Sequence, residues 1–280
     1  MSLEDFSLDG KVAVVTGASR GLGKAMAIAL GRAGADVCVV SRSQDQLDKV
    51  AEEIRELGVR SIGISADLTD SNQVDNMINR TVDEFGAIHI LVNNAGIVQT
   101  PGGKSDSDGG ESPAVDISDE EWHLGMDTNL SSCFYCSRAA AKYMIKQKWG
   151  RIINITSVAG VRGTRGSPIY SAAKGGMVMF SKALAQQWAQ DGITVNIIAP
   201  GSFPWRFFEG VTNADFANLR GSRIPIKRPG DPKELGPLVV FLSSEAASYT
   251  TGELIVVDGG ALEAAAAPAG YVFPGIGTIN

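Results

Sequence analysis

Short runs rich in Val and Ile recur along this chain, and most are followed by a stretch with helical spacing. "KVAVVTGA" enters a glycine turn and leads into "LGKAMAIALGRAGA", a helix ending at Gly34. "DVCVVSR" precedes "SQDQLDKVAEEIRELG", closed by Gly58, and "SIGISADL" precedes "SNQVDNMINRTVDEFG". "IHILVNNAG" comes before the long helical stretch "EEWHLGMDTNLSSCFYCSRAAAKYMIKQKWG". "RIINITS" comes before a helix that carries Tyr170 and Lys174 and runs to about Asp191, and "ITVNIIAPG" and "ELIVVDGG" complete the strands. Strands that are apolar throughout, without in–out alternation, are buried on both faces, as in a parallel sheet between helix layers. Strand–helix alternation of this kind predicts a doubly wound α/β domain, a parallel sheet flanked by helices. Such domains reach about 200–250 residues as one unit, so a single domain over residues 1–280 is expected, and no internal repeat is present.

Two segments break the pattern. "QTPGGKSDSDGGESPAVD" (99–116) is rich in Gly, Ser and Asp and reads as a flexible loop insertion. It has little to bury, so it is expected to be mobile without ligand, and loss of 102–112 is expected to leave the fold intact. The weakly polar tail 261–280 either crosses to a neighbouring subunit or hangs loose. A net charge of −6 argues against a nucleic-acid partner. No apolar run approaches the ~18 residues of a membrane span, and the N-terminus lacks a secretion pattern, so a cytoplasmic protein is expected. Cys133 and Cys136 form C-x-x-C, yet the only histidines are His89 and His123. Buried, reduced thiols and no metal site are the expectation.

"TGASRGLG" (Thr16 to Gly23) lies between the first strand and the first helix. Gly17, Gly21 and Gly23 permit a tight turn and close backbone approach, while the helix N-terminus offers free N–H groups to a pyrophosphate, as in Rossmann-type domains. In "IYSAAKGG", Tyr170 and Lys174 stand four residues apart, on one helix face. A cation there favours the phenolate and lowers the usual tyrosine value of about 10. Such a tyrosine can pass a proton near neutral pH.

The glycine spacing T-G-x-x-x-G-x-G differs from the common G-x-G-x-x-G. Together with "NNAG" (93–96), "ITS" (155–157) and Y-x-x-x-K (170–174), it resembles the short-chain dehydrogenase/reductase family, carbonyl reductases included, over about residues 8–260. "PG" (200–201) and "ELIVVDGG" (253–260) are similar to further family landmarks. The resemblance implies that Tyr170 exchanges a proton with the substrate oxygen and that Lys174 holds the nicotinamide ribose and lowers the tyrosine pKa. It implies that Ser157 hydrogen-bonds the reacting oxygen, and that Asn129 positions a water linking the lysine to solvent. It assigns the cofactor to Gly17, Ser19, Arg20, Gly21, Leu22 and Gly23, to Ser41 and Arg42, and to Asp67 and Leu68 beside the adenine. Asn94, Ala95 and Gly96 near the adenosine ribose, with Tyr170, Lys174, Pro200 and Gly201, complete that set. Asp67 could instead cap a helix, a role for which Asp70 is better placed.

NAD enzymes usually place an acid at the end of the second strand for the ribose 2′-OH. This chain has Ser41 there, then Arg42, with Arg20 in the glycine loop. A 2′-phosphate carries about two negative charges, and guanidinium groups bind it through paired hydrogen bonds. NADP(H) is therefore the expected cofactor, with carbonyl reduction the working direction. One departure concerns "PGSFPWRFFEG", where Trp205 replaces a Ser or Thr that in many relatives touches the nicotinamide carboxamide. Phe203, Trp205, Phe207 and Phe208 form an apolar substrate wall, a lid or a subunit contact.

The expected activity interconverts a ketone or aldehyde and an alcohol. Sugar-acid ketones, 3-oxoacyl thioesters and hydrophobic cyclic ketones are candidate substrates. The alternatives are an NADP-binding regulatory or scaffold protein without turnover and a non-redox lyase or epimerase. Family resemblance and small residues along the two long helices also imply a homo-oligomer, a tetramer or else a dimer.

Overall fold

The computed structural model describes residues 3–98, 114–164, 166–203 and 224–264. The readings made for Trp205, Phe207 and Phe208, for 99–113 of the loop and for 265–280 of the tail lie outside these residues.

The β-branched runs become seven strands: β1 (Val12–Thr16), β2 (Asp36–Ser41), β3 (Ser61–Ser65), β4 (Ile90–Asn93), β5 (Gly150–Ile155), β6 (Ile193–Pro200) and β7 (Leu254–Val257). All pair in parallel, in the order β3-β2-β1-β4-β5-β6-β7. The helices are α1 (Gly21–Arg32), α2 (Gln44–Arg55), α3 (Ser71–Phe85), α4 (Asp119–Met126), α5 (Ser132–Gln147), α6 (Val158–Val161), α7 (Pro168–Trp188), α8 (Gly236–Ser243) and α9 (Ala261–Ala264). Alternate residues of one strand serve opposite layers, because successive side chains point to opposite faces. Ala13 and Val15 of β1 pack with Met26, Leu30, Ile54, Val239 and Leu242 from α1, α2 and α8. Val12 and Val14 pack with Val74, Met77, Met144 and Leu184 from α3, α5 and α7. This is the doubly wound Rossmann-type arrangement. Its strand order reverses between β1 and β4, which opens a crevice at the carboxyl ends of the strands, where such folds bind ligands.

Local chemistry sets the helix ends. Asp70 caps α3, its carboxylate accepting from the Asn72 N–H (2.9 Å), and Gly86 closes that helix in the left-handed region at φ 85°. Ser118 and Glu121 form a capping box on α4. Two features depart from the sequence reading. The long helical stretch before β5 is two helices joined by a π-helical turn, Asp127–Ser131. The helix α8 was not anticipated: "GPLVVFLS" is apolar on every side and shows no helical stripe.

At the opposite end of the sheet from the crevice, the Trp149 ring is approached by two cations, Lys11 Nζ (4.0 Å to the ring centre) and the Arg151 guanidinium (4.3 Å). His89 meets the same ring edge-on, and its Nδ1 accepts from the Val12 N–H (3.0 Å). Burial, then the Lys11 charge, hold the His89 pKa below its usual value. The unfolded chain therefore takes this proton first as pH falls. The contribution of His89 to stability is complete above its unfolded value of about 6.5 and is lost as pH drops through the lower folded value. Urea midpoints should fall from about pH 7.5 to about pH 5.5, and His89→Gln should flatten that slope; an unchanged slope in the variant assigns it elsewhere.

Candidate active site

The crevice is built from the end of β1 outward. Thr16 Oγ1 accepts from the backbone N–H of Asn94 (2.9 Å) and of Ala95 (3.0 Å) and donates to Val92 O (3.3 Å). The Asn94 amide donates to Thr16 O (3.0 Å) and Gly17 O (3.2 Å). The "NNAG" segment thus staples the glycine loop to the end of β4. Gly17 and Gly21 adopt φ of 63° and 56°, a region that favours glycine. A Cβ on Gly23 would lie 2.3 Å from Gly17 O and 2.5 Å from Asn94 Nδ2, so a side chain there would drive the loop off the strand. The first helix α1 starts at Gly21 with Arg20 at its cap. It has no side-chain cap bond and no acidic residue in its first turn. Open N–H groups at a helix N-terminus, with glycine at its first and third positions and no negative charge, fit a dinucleotide pyrophosphate. Ser19 is half-buried in the loop, and Leu22 packs against the α1 core.

Ser41 ends β2 with its Oγ accepting from the Ser43 N–H (3.2 Å), and the Arg42 carbonyl accepts from Ser65 Oγ (3.1 Å). The side chains of Arg20 and Arg42 are exposed, and neither forms an ion pair among the described residues. Asp67 follows β3 and accepts from the N–H (3.0 Å) and hydroxyl (2.8 Å) of Thr69, leaving the helix cap to Asp70. The Leu68 side chain is buried in the core layer of α3. Pro200 ends β6, and the Gly201 N–H donates to Val257 O (2.9 Å). A Cβ on Gly201 would fall 2.5 Å from that of Asp258. The carboxylate of Asp258 accepts from the N–H of Gly260 (2.8 Å) and of Leu262 (2.6 Å), tying α9 to this corner.

The other half of the candidate site, carrying Ser157, Tyr170 and Lys174, follows β5 and runs onto α7. Ser157 caps α6, accepting from the Ala159 N–H (3.1 Å), and its hydroxyl is hydrogen-bonded to Tyr170. Pro168 opens α7, so Tyr170 lies in its first turn and Lys174 one turn on, its Nζ 5.8 Å from the tyrosine ring centre. Lys174 is only 3 % exposed and donates to Ile155 O (2.9 Å). A Cβ on Gly160 would come 2.6 Å from the Lys174 carbonyl carbon, so α6 and α7 meet backbone to backbone.

Asn129 lies in the π turn, a device that recurs at functional sites. Its amide donates to Ile97 O (2.9 Å) and Gly125 O (2.9 Å), and its Oδ1 accepts from the Ile97 N–H (3.1 Å). The side chain therefore clamps the backbone just beyond "NNAG". A Cβ on Gly96 would lie 2.6 Å from Asn129 Oδ1 and 3.4 Å from Lys174 Nζ. Asn94 touches the glycine loop and Gly96 touches Asn129, so three consecutive residues join the two halves of the site.

Burial pulls the Lys174 ammonium down to about 8, against the opposing effect of Cys133. It also raises the Tyr170 phenol, against the lowering effect of its bond to Ser157. The helical spacing predicts a phenol lowered by its lysine; in the folded chain the phenol is raised by loss of water, and the lysine Nζ donates to Ile155 O. The thiols of Cys133 and Cys136 are free and buried, and burial lifts Cys133 to about 12. Among the described residues, no group of three or more His, Cys, Asp or Glu could hold a metal ion.

A glycine loop and helix start that fit a pyrophosphate, joined to a tyrosine, lysine and serine brought close together, suit hydride transfer to a carbonyl. The chain belongs to the short-chain dehydrogenase/reductase family, and it is an oxidoreductase interconverting C=O and CH–OH groups. The family model described as Enoyl-(Acyl carrier protein) reductase matches residues 17–261. A 3-oxoacyl-[acyl-carrier-protein] reductase of Synechocystis sp. is 40% identical over 256 residues, 91% of this chain and 98% of that protein. The 3-oxoacyl-[acyl-carrier-protein] reductase FabG of Pseudomonas aeruginosa is 39% identical over 254 residues, again 91% of this chain and 98% of its own. A short-chain type dehydrogenase/reductase from Mycobacterium marinum superposes with a TM-score of 0.82 at 36% identity, covering 93% of this chain and 99% of that structure. These findings favour turnover over the scaffold reading.

Proposed function

We propose that this oxidoreductase uses NADPH to reduce the 3-keto group of an acyl thioester carried on an acyl carrier protein. The observation that carries the chemistry is the Ser157–Tyr170 hydroxyl pair beside the buried Lys174. NADP(H) is the cofactor: the N–H groups of α1 would hold its pyrophosphate, and Arg20, Arg42 and Ser41 would hold its 2′-phosphate. When bound, it supplies the hydride. The substrate carbonyl oxygen accepts from Ser157 and takes the Tyr170 proton. A phenol raised by burial keeps its proton at neutral pH, the form a reduction consumes. Lys174, pulled to about 8, holds a proton to replace it. The Asn129 amide is spent on Ile97 and Gly125, so this side chain keeps the strand end in place beside the lysine. The substrate class follows the two reductases that share 39–40% of their residues with the chain. Following loss of the NADPH absorbance with 3-oxoacyl thioesters, sugar-acid ketones and cyclic ketones tests it; a sugar-acid or cyclic ketone turned over faster than every thioester would displace the substrate class.

The same reading takes the chain as one catalytic domain working in the cytoplasm; among the described residues no helix is long and apolar enough to cross a membrane. It also takes the protein as a homotetramer assembled through α5 and α7. Phe134 (40 % exposed) and Met179 (61 %) crown those helices, with Phe134 packed edge-on to Phe180. Sedimentation at micromolar concentration should show an oligomer, and a lone 29.4 kDa species would refute the assembly.

A further inference from the structure

Asn154, next to last in β5, is fully buried and bonds to three neighbouring elements at once. Its Oδ1 accepts from Asn93 Nδ2 on β4 (2.8 Å) and from the Cys133 thiol on α5 (3.4 Å). Its Nδ2 donates to Ser181 Oγ on α7 (2.7 Å), whose hydroxyl donates back to Met177 O (2.6 Å). The register makes the first link, since Asn93 and Asn154 are paired across β4 and β5. Each link ends close to the chemistry. Cys133 stands four residues after Asn129, just beyond the π turn, and Ser181 stands two turns after Lys174 on α7. The next carbonyl along β5, that of Ile155, receives the lysine itself.

We infer that Asn154 is the positioning residue of the proton path, fixing α7 against α5 so that Tyr170, Lys174 and Asn129 keep one geometry. Apolar packing is non-directional and lets two helices slide by fractions of an ångström; hydrogen bonds are directional and do not. An amide offers two donors and an acceptor with two lone pairs, enough to hold β4, α5 and α7 together. The arrangement carries a cost, which sets it apart from filler: Asn93 Oδ1 is buried without a hydrogen-bond partner among the described residues. Thr81 offers a matched comparison. Its buried hydroxyl also bonds back one turn, to Met77 O (2.9 Å), but on α3, with no tie to Asn154.

The inference rests on Tyr170 and Lys174 forming the proton path, so Tyr170→Phe is measured alongside. Asn154→Leu, close in size and without polar atoms, should lower kcat tenfold or more while NADPH Kd stays within about twofold. Ser181→Ala, which cuts only the α7 link, should lower kcat several-fold with the same unchanged Kd. Thr81→Ala should lose comparable Tm and keep its kcat. If Asn154→Leu does not fold, Ser181→Ala against Thr81→Ala decides. The inference is overturned if Ser181→Ala keeps wild-type kcat, or if kcat, NADPH affinity and Tm decline together in all three variants. An active Tyr170→Phe would remove the proton path itself, and the positioning role with it; an inactive one beside a normal Ser181→Ala overturns the positioning role alone.

Discussion

Tyr170→Phe is expected to bind NADPH like the parent enzyme and to lose about 10²–10⁴-fold in turnover, the usual worth of a positioned acid–base group. No neighbour can take over. Lys174 sits buried one helical turn behind the phenol, where it can recharge the tyrosine rather than replace it, and Ser157, bonded to the phenol and capping α6, can donate to the substrate oxygen but is too weak an acid to surrender a proton. Steady-state rates with separate NADPH titration check this, and near-normal kcat would end the assigned mechanism. The direction of the Tyr170 shift carries a second signature. Burial raises this phenol, so the protonated form that reduction needs persists through neutral pH, while alcohol oxidation needs the phenolate and should speed up toward alkaline pH. A single pH series run in both directions reads the two limbs.

The double variant Arg20→Ala with Arg42→Ala is expected to raise KM for NADPH tenfold or more and barely to change KM for NADH. A hydrogen bond to a charged group contributes roughly 1.5–3 kcal/mol. Both arginines are exposed, so screening by solvent keeps the expectation near the low end for the pair. For the same reason the wild-type preference for NADPH should weaken with added salt, which the NADH reaction should not mirror. A wild type that prefers NADH, or a double variant that treats both cofactors as wild type does, would overturn the 2′-phosphate assignment to Ser41, Arg20 and Arg42.

Much of this architecture is legible in the residues because its signals are strong and local. A strand such as "KVAVV" is apolar on both faces only if both faces are covered, so all seven strands and the doubly wound class follow from β-branched runs. The glycine loop is legible because its glycines answer a backbone demand, seen in the positive φ of Gly17 and Gly21. Where the reading fell short, the missing information was not local. The helix α8 has no polar face to give it a period, since it lies in the layer beside α1. The spacing of Tyr170 and Lys174 names two neighbours but not their loss of water, and it is that loss which sets the sign of the tyrosine shift. That the Asn94 amide also holds Thr16 and Gly17 depends on contacts between residues far apart in sequence. Asn154 is invisible in one dimension: its meaning depends on the register that sets it opposite Asn93.

The π turn at Asp127–Ser131 leaves this enzyme with a helix it cannot tidy. A residue added to or taken from an α-helix turns everything on one side by about 100°. Deleting one residue here would restore a regular ladder of hydrogen bonds through α4 and α5, an improvement by any local measure of helix quality. It would also swing Asn129 off Ile97, unhooking the strand end that keeps Gly96 beside Lys174. A search for stabilising changes that scored helices alone would choose that deletion early and recover an orderly, inactive protein. The irregular turn thus makes the register between α4 and α5 a condition on Asn129: a length change inside it moves that side chain relative to Ile97.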